Sequence, residues 1–204
     1  MGFEGEYFND KEWNGKRYDQ EGNIMYELKN GKGIKKFYFS GFDFNSEYNE
    51  NPTLERLILL SEWEYLNGER NGKGKEYDFN GVLDFEGEYL NDKRNGKGKE
   101  YWGDGKLMFE GEYLSNFKIK GKYYINGKLE FEGEFRYNNK WNGKGYDENG
   151  NVIYELINGN GKVKEYDDNG ILEFEGEYLN GKRNGKGKKY LGNHIISDGE
   201  YVND

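Results

Sequence analysis

The stretch FEGEYLNDKRNGKGKEY, Phe85–Tyr101, decides the fold. Phe85, Gly87 and Tyr89 alternate with Glu86 and Glu88, so a strand here places the apolar set on one face and the carboxylates on the other. The Asn- and Gly-containing segment that follows is a turn, and KGKEY reads as a returning strand. Together they make a β-hairpin whose glycines sit where an aromatic ring can lie across bare backbone. The register stays open, because a one-residue shift decides whether Glu86 and Glu88 face Lys97 and Lys99.

The same block recurs along the chain. FEGEY stands at Phe3–Tyr7, Phe85–Tyr89, Phe109–Tyr113 and Phe174–Tyr178, with FEGEF at Phe131–Phe135 and degenerate copies at Ser61–Tyr65 and Ser197–Tyr201. Two shortened units, Tyr26–Tyr38 and Tyr154–Tyr166, keep the twelve-residue spacing of their flanking tyrosines. Residues 3–38 align without a gap to residues 131–166, an offset of 128 that matches Trp13 with Trp141. A lone hairpin cannot bury its aromatic face, so neighbouring units must stack. The expected fold is all-β: an elongated, twisted, mostly single-layer solenoid of eight or nine antiparallel hairpins of roughly 23 residues, one array over residues 1–204. Residues 39–59 interrupt it as an insertion that contains Pro52. Within it, Thr53–Leu60 reads either as a short helix capped by Thr53 or, from Arg56 to Leu66, as the next strand.

Composition agrees with a glycine- and aromatic-rich β-architecture. Hydrophobic residues make up only 33% of the 204, yet 18% are aromatic, which argues against disorder. The net charge of −9, with both signs interspersed, argues against nucleic acid as a partner. With no cysteine, disulfides and thiolate chemistry are excluded. The N-terminus has no basic and apolar signal pattern, and no apolar run approaches about 20 residues. These features lead to the expectation of a cytoplasmic protein, free or at the periphery of membrane or cytoskeleton.

No catalytic constellation emerges, and no cofactor or metal is expected. His194 is the only histidine, so neither a histidine-based triad nor a multi-histidine metal site can be assembled. Gly68–Gly74 has three residues between its first two glycines and a glycine after the lysine, which fails the phosphate-loop pattern. The Asp-X-Asn-Gly segments at Asp78, Asp147 and Asp167 lack calcium-loop spacing and read as tight turns. The carboxylate pairs Glu86/Glu88, Glu110/Glu112, Glu132/Glu134 and Glu175/Glu177 recur in every full unit, as a lysine-balanced ladder would and a unique acid–base pair would not.

FEGEYLNGKRNGKGKKY, Phe174–Tyr190, resembles the MORN repeat, a hairpin of about 23 residues, over nearly the whole chain except roughly residues 39–57. The two shortened units resemble its variant form. Asn-Gly at Asn71, Asn95 and Asn184 replaces the family's usual His-Gly. Unpaired edge strands at either end of the array allow a homodimer through terminal strands, and the resemblance implies a stack of hairpins used for protein interaction, scaffolding or dimerisation. On that footing an unidentified protein partner is expected at an aromatic face of Phe85, Tyr89, Phe109, Tyr113, Phe174 and Tyr178, with Trp13 and Trp141 as further contacts. The alternative is peripheral binding to anionic membrane lipid through Lys182, Arg183, Lys186, Lys188 and Lys189.

Overall fold

The structure is a computed structural model that describes residues 2–19, 21–41 and 56–203. Among these residues there are seventeen β-strands and no helix. They fall into two compact units, Met1–Arg94 with Gly103–Gly105, and Asn95–Trp102 with Lys106–Asp204. In the first unit β1 (Phe3–Phe8), β2 (Lys11–Tyr18) and β3 (Ile24–Leu28) form one antiparallel sheet. There β4 (Lys32–Gly41), β5 (Arg56–Leu66), β6 (Glu69–Tyr77) and β7 (Leu83–Leu90) also pair successively. The second unit takes most of β8 (Lys93–Tyr101), then β9 (Leu107–Leu114), β10 (Phe117–Ile125), β11 (Lys128–Arg136), β12 (Asn139–Tyr146) and β13 (Val152–Leu156). Its other sheet runs β14 (Gly161–Tyr166), β15 (Leu172–Leu179), β16 (Lys182–Leu191) and β17 (His194–Tyr201).

Arg56–Leu66 is strand, which decides between the two readings of that segment for residues 56–60. Residues 39–41 and 56–59 extend β4 and β5 and pair with one another, Phe39 opposite Ile58 and Gly41 opposite Arg56. Residues 42–55, which include the Thr53 cap, lie outside the described residues.

Successive units pair in one register, with Gly74 facing Gly87 and Gly98 facing Gly111, while Lys75 faces Glu86 and Lys99 faces Glu110. The same holds for Gly176 with Gly187 and Glu175 with Lys188. Glycine must face glycine because a phenylalanine ring crosses both. A Cβ built on Gly111 falls 2.7 Å from the Gly121 Cα and 2.6 Å from the Phe109 ring. Phe85, Phe109, Phe131 and Phe174 are completely buried in this arrangement. Tyr89, Tyr113 and Phe135, four residues further along each strand, meet those rings edge to face at 5.4–5.7 Å.

The two carboxylates of each FEGEY copy do different work. The first faces lysine across the sheet: Glu86 to Lys75 at 3.7 Å, Glu110 to Lys99 at 3.8 Å. The second stabilises the bulge near the hairpin tip, where the Glu64 carboxylate accepts the Lys73 N–H at 2.8 Å. Glu6 and Glu134 accept instead from the Asn14 and Asn142 amides, each at 2.8 Å. Glu110 and Glu175, first carboxylates of their copies, also accept the Tyr124 and Tyr190 hydroxyls at 2.7 and 2.6 Å, so a purely solvated ladder describes neither member of the pair.

The shortened units open the sheet. Between β3 and β4 a single bridge, Lys29 with Lys32, follows the tip, and Ile157 with Asn160 does the same between β13 and β14. Leu28 and Leu156, both 1% exposed, fill the wedge beside Tyr26 and Tyr154.

Candidate interaction surface

Each buried ring is capped by a cation from the same repeat position. The Arg94 guanidinium lies 3.8 Å from the Phe85 centroid, Lys118 4.9 Å from Phe109, Lys140 5.4 Å from Phe131 and Arg183 4.6 Å from Phe174. A carboxylate holds each cation in place: Glu76 for Arg94, Glu100 for Lys118, Glu130 for Lys140 and Glu165 for Arg183. The layers are thus glycine backbone, aromatic ring and ion pair. Phe85, Phe109 and Phe174 present no surface of their own, and Tyr89 and Tyr113 almost none. Tyr178 is half-buried and donates its hydroxyl to Glu165 at 2.7 Å. The alternation that put these residues on one face was sound, but a face built on glycine draws its rings down onto the backbone and covers them with charge.

Trp13 and Trp141 are half-buried and hold the shortened hairpins in place. The carbonyl of Trp13 accepts the Gly31 N–H at 2.9 Å, and Trp141 accepts from Gly159 at 2.7 Å. Each indole also lies against that glycine, so a Cβ there would come within 2.6 and 2.7 Å of the ring. The basic cluster on β16 is divided. Lys182 and Lys186 are exposed, Lys188 stands opposite Glu175 and Asp198, Lys189 is 3.9 Å from Glu173, and Arg183 is drawn to Glu165 above Phe174.

The duplicated blocks differ in their buried polar network. In the second unit Tyr154 donates to Glu130 at 2.9 Å, and Lys140 donates to both Glu130 and the Tyr154 oxygen, at 2.5 and 3.3 Å. These groups line a surface cavity of about 280 Å³ together with Tyr123, Glu165 and Tyr178. Burial, then the adjacent Glu130, pushes the Tyr154 phenol far above its usual range; burial first also pushes Tyr123 up to about 12. In the first unit Glu12 occupies the position of Lys140, and Tyr26 donates to it at 2.6 Å.

Sequence reasoning did not look at the residue after each FEGEY, which is apolar and exposed. Leu90, Leu114 and Leu179 are 45–55% exposed there. In the second unit Leu114 pairs with exposed Phe117, whose ring meets Tyr137 edge to face at 5.8 Å. Arg136 lies 5.7 Å from the Tyr137 centroid and 4.8 Å from that of Trp141. Tyr137 is 68% exposed and has φ 51°, a left-handed conformation rare for a bulky side chain. The equivalent tip position holds Asn9, Asn30, Asn67, Asn91, Ser115, Asn126, Asn158, Asn180 or Gly192. The signal in the sequence is FRYNN at Phe135–Asn139, an aromatic at the tip where the other FEGEY-type copies read YFND, YLNG, YLND or YLSN.

Stacked antiparallel hairpins with a repeated ring-and-cation core define a tandem hairpin-repeat protein. Residues 85–106 and 174–194 match the family model of the MORN repeat, and residues 70–91 and 159–180 match the MORN repeat variant. The chain carries tandem MORN repeats of both kinds. A search of curated proteins found no match. MORN repeats are generally protein- or membrane-interaction modules and typically non-enzymatic. Among the described residues no helix is long and apolar enough to cross a membrane.

Proposed function

We propose that the protein is a non-catalytic scaffold that binds another protein, using the hairpin-tip surface of Leu114, Phe117, Tyr137 and Trp141 in the second unit. The observation that carries this reading is Tyr137: an exposed aromatic kept in a left-handed turn position where asparagine would be unstrained. Strain retained at the surface is the usual mark of a contact residue, and tyrosine brings a large amphipathic area at low entropy cost. Arg136 stiffens the cluster by stacking on both neighbouring rings. The test is quantitative affinity capture from the native host with the wild-type chain and with Tyr137→Asn. The variant is expected to lose the specifically captured protein while its thermal midpoint rises. Identical capture by both chains would remove Tyr137 from the interface and the reading with it.

A further inference from the structure

Asn-Gly pairs recur along the chain, and the fold shields most of them. Asn14, Asn71, Asn95, Asn142 and Asn184 stand inside β2, β6, β8, β12 and β16, while Asn160 leads into β14, whose Gly161 lies opposite Tyr178. Asn80, Asn149 and Asn169 belong to the Asp turns, where Gly81, Gly150 and Gly170 donate to the turn's own aspartate carbonyl at 2.8–3.0 Å. Asn30, Asn158 and Asn180 form hairpin tips tied to a neighbour. Their glycines, Gly31, Gly159 and Gly181, are buried and donate to the carbonyls of Trp13, Trp141 and Gly159 at 2.7–2.9 Å. The asparagine N–H of each tip is also taken, by the side-chain oxygen of Asn14, Asn142 and Asn160 respectively. At the Asn67 tip the asparagine N–H donates to the Gly31 carbonyl at 3.0 Å, and Gly68 is half-buried.

Asn126-Gly127, the tip between β10 and β11, is the exception. Asn126, Gly127 and Lys128 are all exposed, and a Cβ built on Gly127 would meet nothing within 4 Å. Neither N–H of the pair finds an acceptor among the described residues. One contact does reach it: Lys106 donates to Asn126 Oδ1 at 3.3 Å. An ammonium accepts no hydrogen bond, so the atom facing it is the amide oxygen and not its nitrogen. That bond draws electrons from the side-chain carbonyl and stabilises the charge that attack on its carbon would place on the oxygen.

We infer that Asn126 is a site of non-enzymatic deamidation. The Gly127 backbone nitrogen gives its proton to hydroxide and attacks Asn126 Cγ. The new C–N bond closes a five-membered succinimide, and the side-chain nitrogen leaves as ammonia with a proton from water. Water then adds to one of the two ring carbonyls and breaks its bond to nitrogen, leaving aspartate or isoaspartate at position 126. The net exchange is one water in and one ammonia out. Ring closure requires the tip to leave its left-handed turn, so the rate follows how freely each tip opens. The tips of Asn30, Asn158 and Asn180 must break two hydrogen bonds to a neighbouring tip or strand, and that of Asn126 breaks none of that kind. The new acid faces Lys106, so the folded chain accommodates its charge.

The experiment incubates the full chain in mildly alkaline buffer, digests it at acidic pH and follows the amide-to-acid mass change site by site, with isoaspartate assayed by enzymatic carboxyl methylation. Asn126 is expected to convert at least about tenfold faster than Asn30, Asn158 and Asn180, the factor that two hydrogen bonds set. In the urea-unfolded chain the four sites convert at similar rates, because the protection belongs to the fold. Lys106→Met is expected to slow Asn126 alone several-fold and Lys106→Arg to restore it, both at the wild-type melting temperature. Conversion of Asn126 no faster than at the three tied tips, the same ranking in urea, or an unaltered rate in Lys106→Met each overturns the assignment.

Discussion

Two residues set opposite limits on what this repeat tolerates. Tyr137 occupies a left-handed turn that costs a non-glycine residue about 1–2 kcal/mol, less for asparagine. Tyr137→Asn is expected to stabilise the chain by about 1 kcal/mol in urea denaturation; a lower midpoint would show that the turn is not strained. Gly133 has no such freedom, because a Cβ there would stand 2.7 Å from the Gly143 Cα and 2.1 Å from the Asn142 oxygen. Gly133→Ala should cost about 1–3 kcal/mol or more, whereas Gly103→Ala, with nothing within 4 Å, should be near neutral in the same melt. The buried phenols impose a pH limit. Burial, then the neighbouring Glu130, Glu165, Glu76 and Glu12 respectively, raises Tyr154, Tyr178, Tyr89 and Tyr26 above the ordinary value near 10. The fold favours their protonated forms, so their contribution is complete below pH 10 and drains as pH rises toward the folded values. Absorbance at about 295 nm should show these tyrosines ionising only as circular dichroism is lost; ionisation near pH 10 with the sheet intact would contradict it.

At the scale of the element, the unit depends on its connections. The Asp78 carboxylate accepts the Asn80 and Val82 N–H groups at 2.9 and 2.8 Å, and Asp147 accepts from Asn149 and Asn151 at the same distances. Both are turns of the kind their sequence describes, with Gly81 at φ 81° and Gly150 at φ 83°. The Val82 backbone donor first of all holds the Asp78 carboxyl below its usual range. A lowered value means the contribution is present above about pH 4 and lost as pH falls through the folded value. Asp78→Ala should therefore lower the melting temperature at pH 7, and the gap from wild type should shrink at pH 3. A constant gap would mean that the side chain acts there by some means other than its ionised acceptors.

At the scale of the whole molecule, each strand is stabilised mainly by its sequence neighbours, so local stability should follow local burial. Hydrogen exchange is expected to be slowest in the strands around Phe85, Phe109, Phe131 and Phe174, and fastest in β17, where seven of eight residues are exposed. Uniform protection across β7, β11 and β17 would contradict nearest-neighbour stacking. The sequence by itself determined the hairpins, their order, the tight Asp turns and the kinship of residues 3–38 with 131–166, because period-two alternation and turn chemistry are local properties. Only the tertiary structure decided that Phe85, Phe109 and Phe174 lie beneath cations rather than on an open face. Alternation names a face but not what covers it, and here the cover comes from the next strand. For the same reason the substitution of Lys140 for Glu12 between the duplicated blocks is visible in the sequence, but the balance around each depends on residues that folding alone brings beside it.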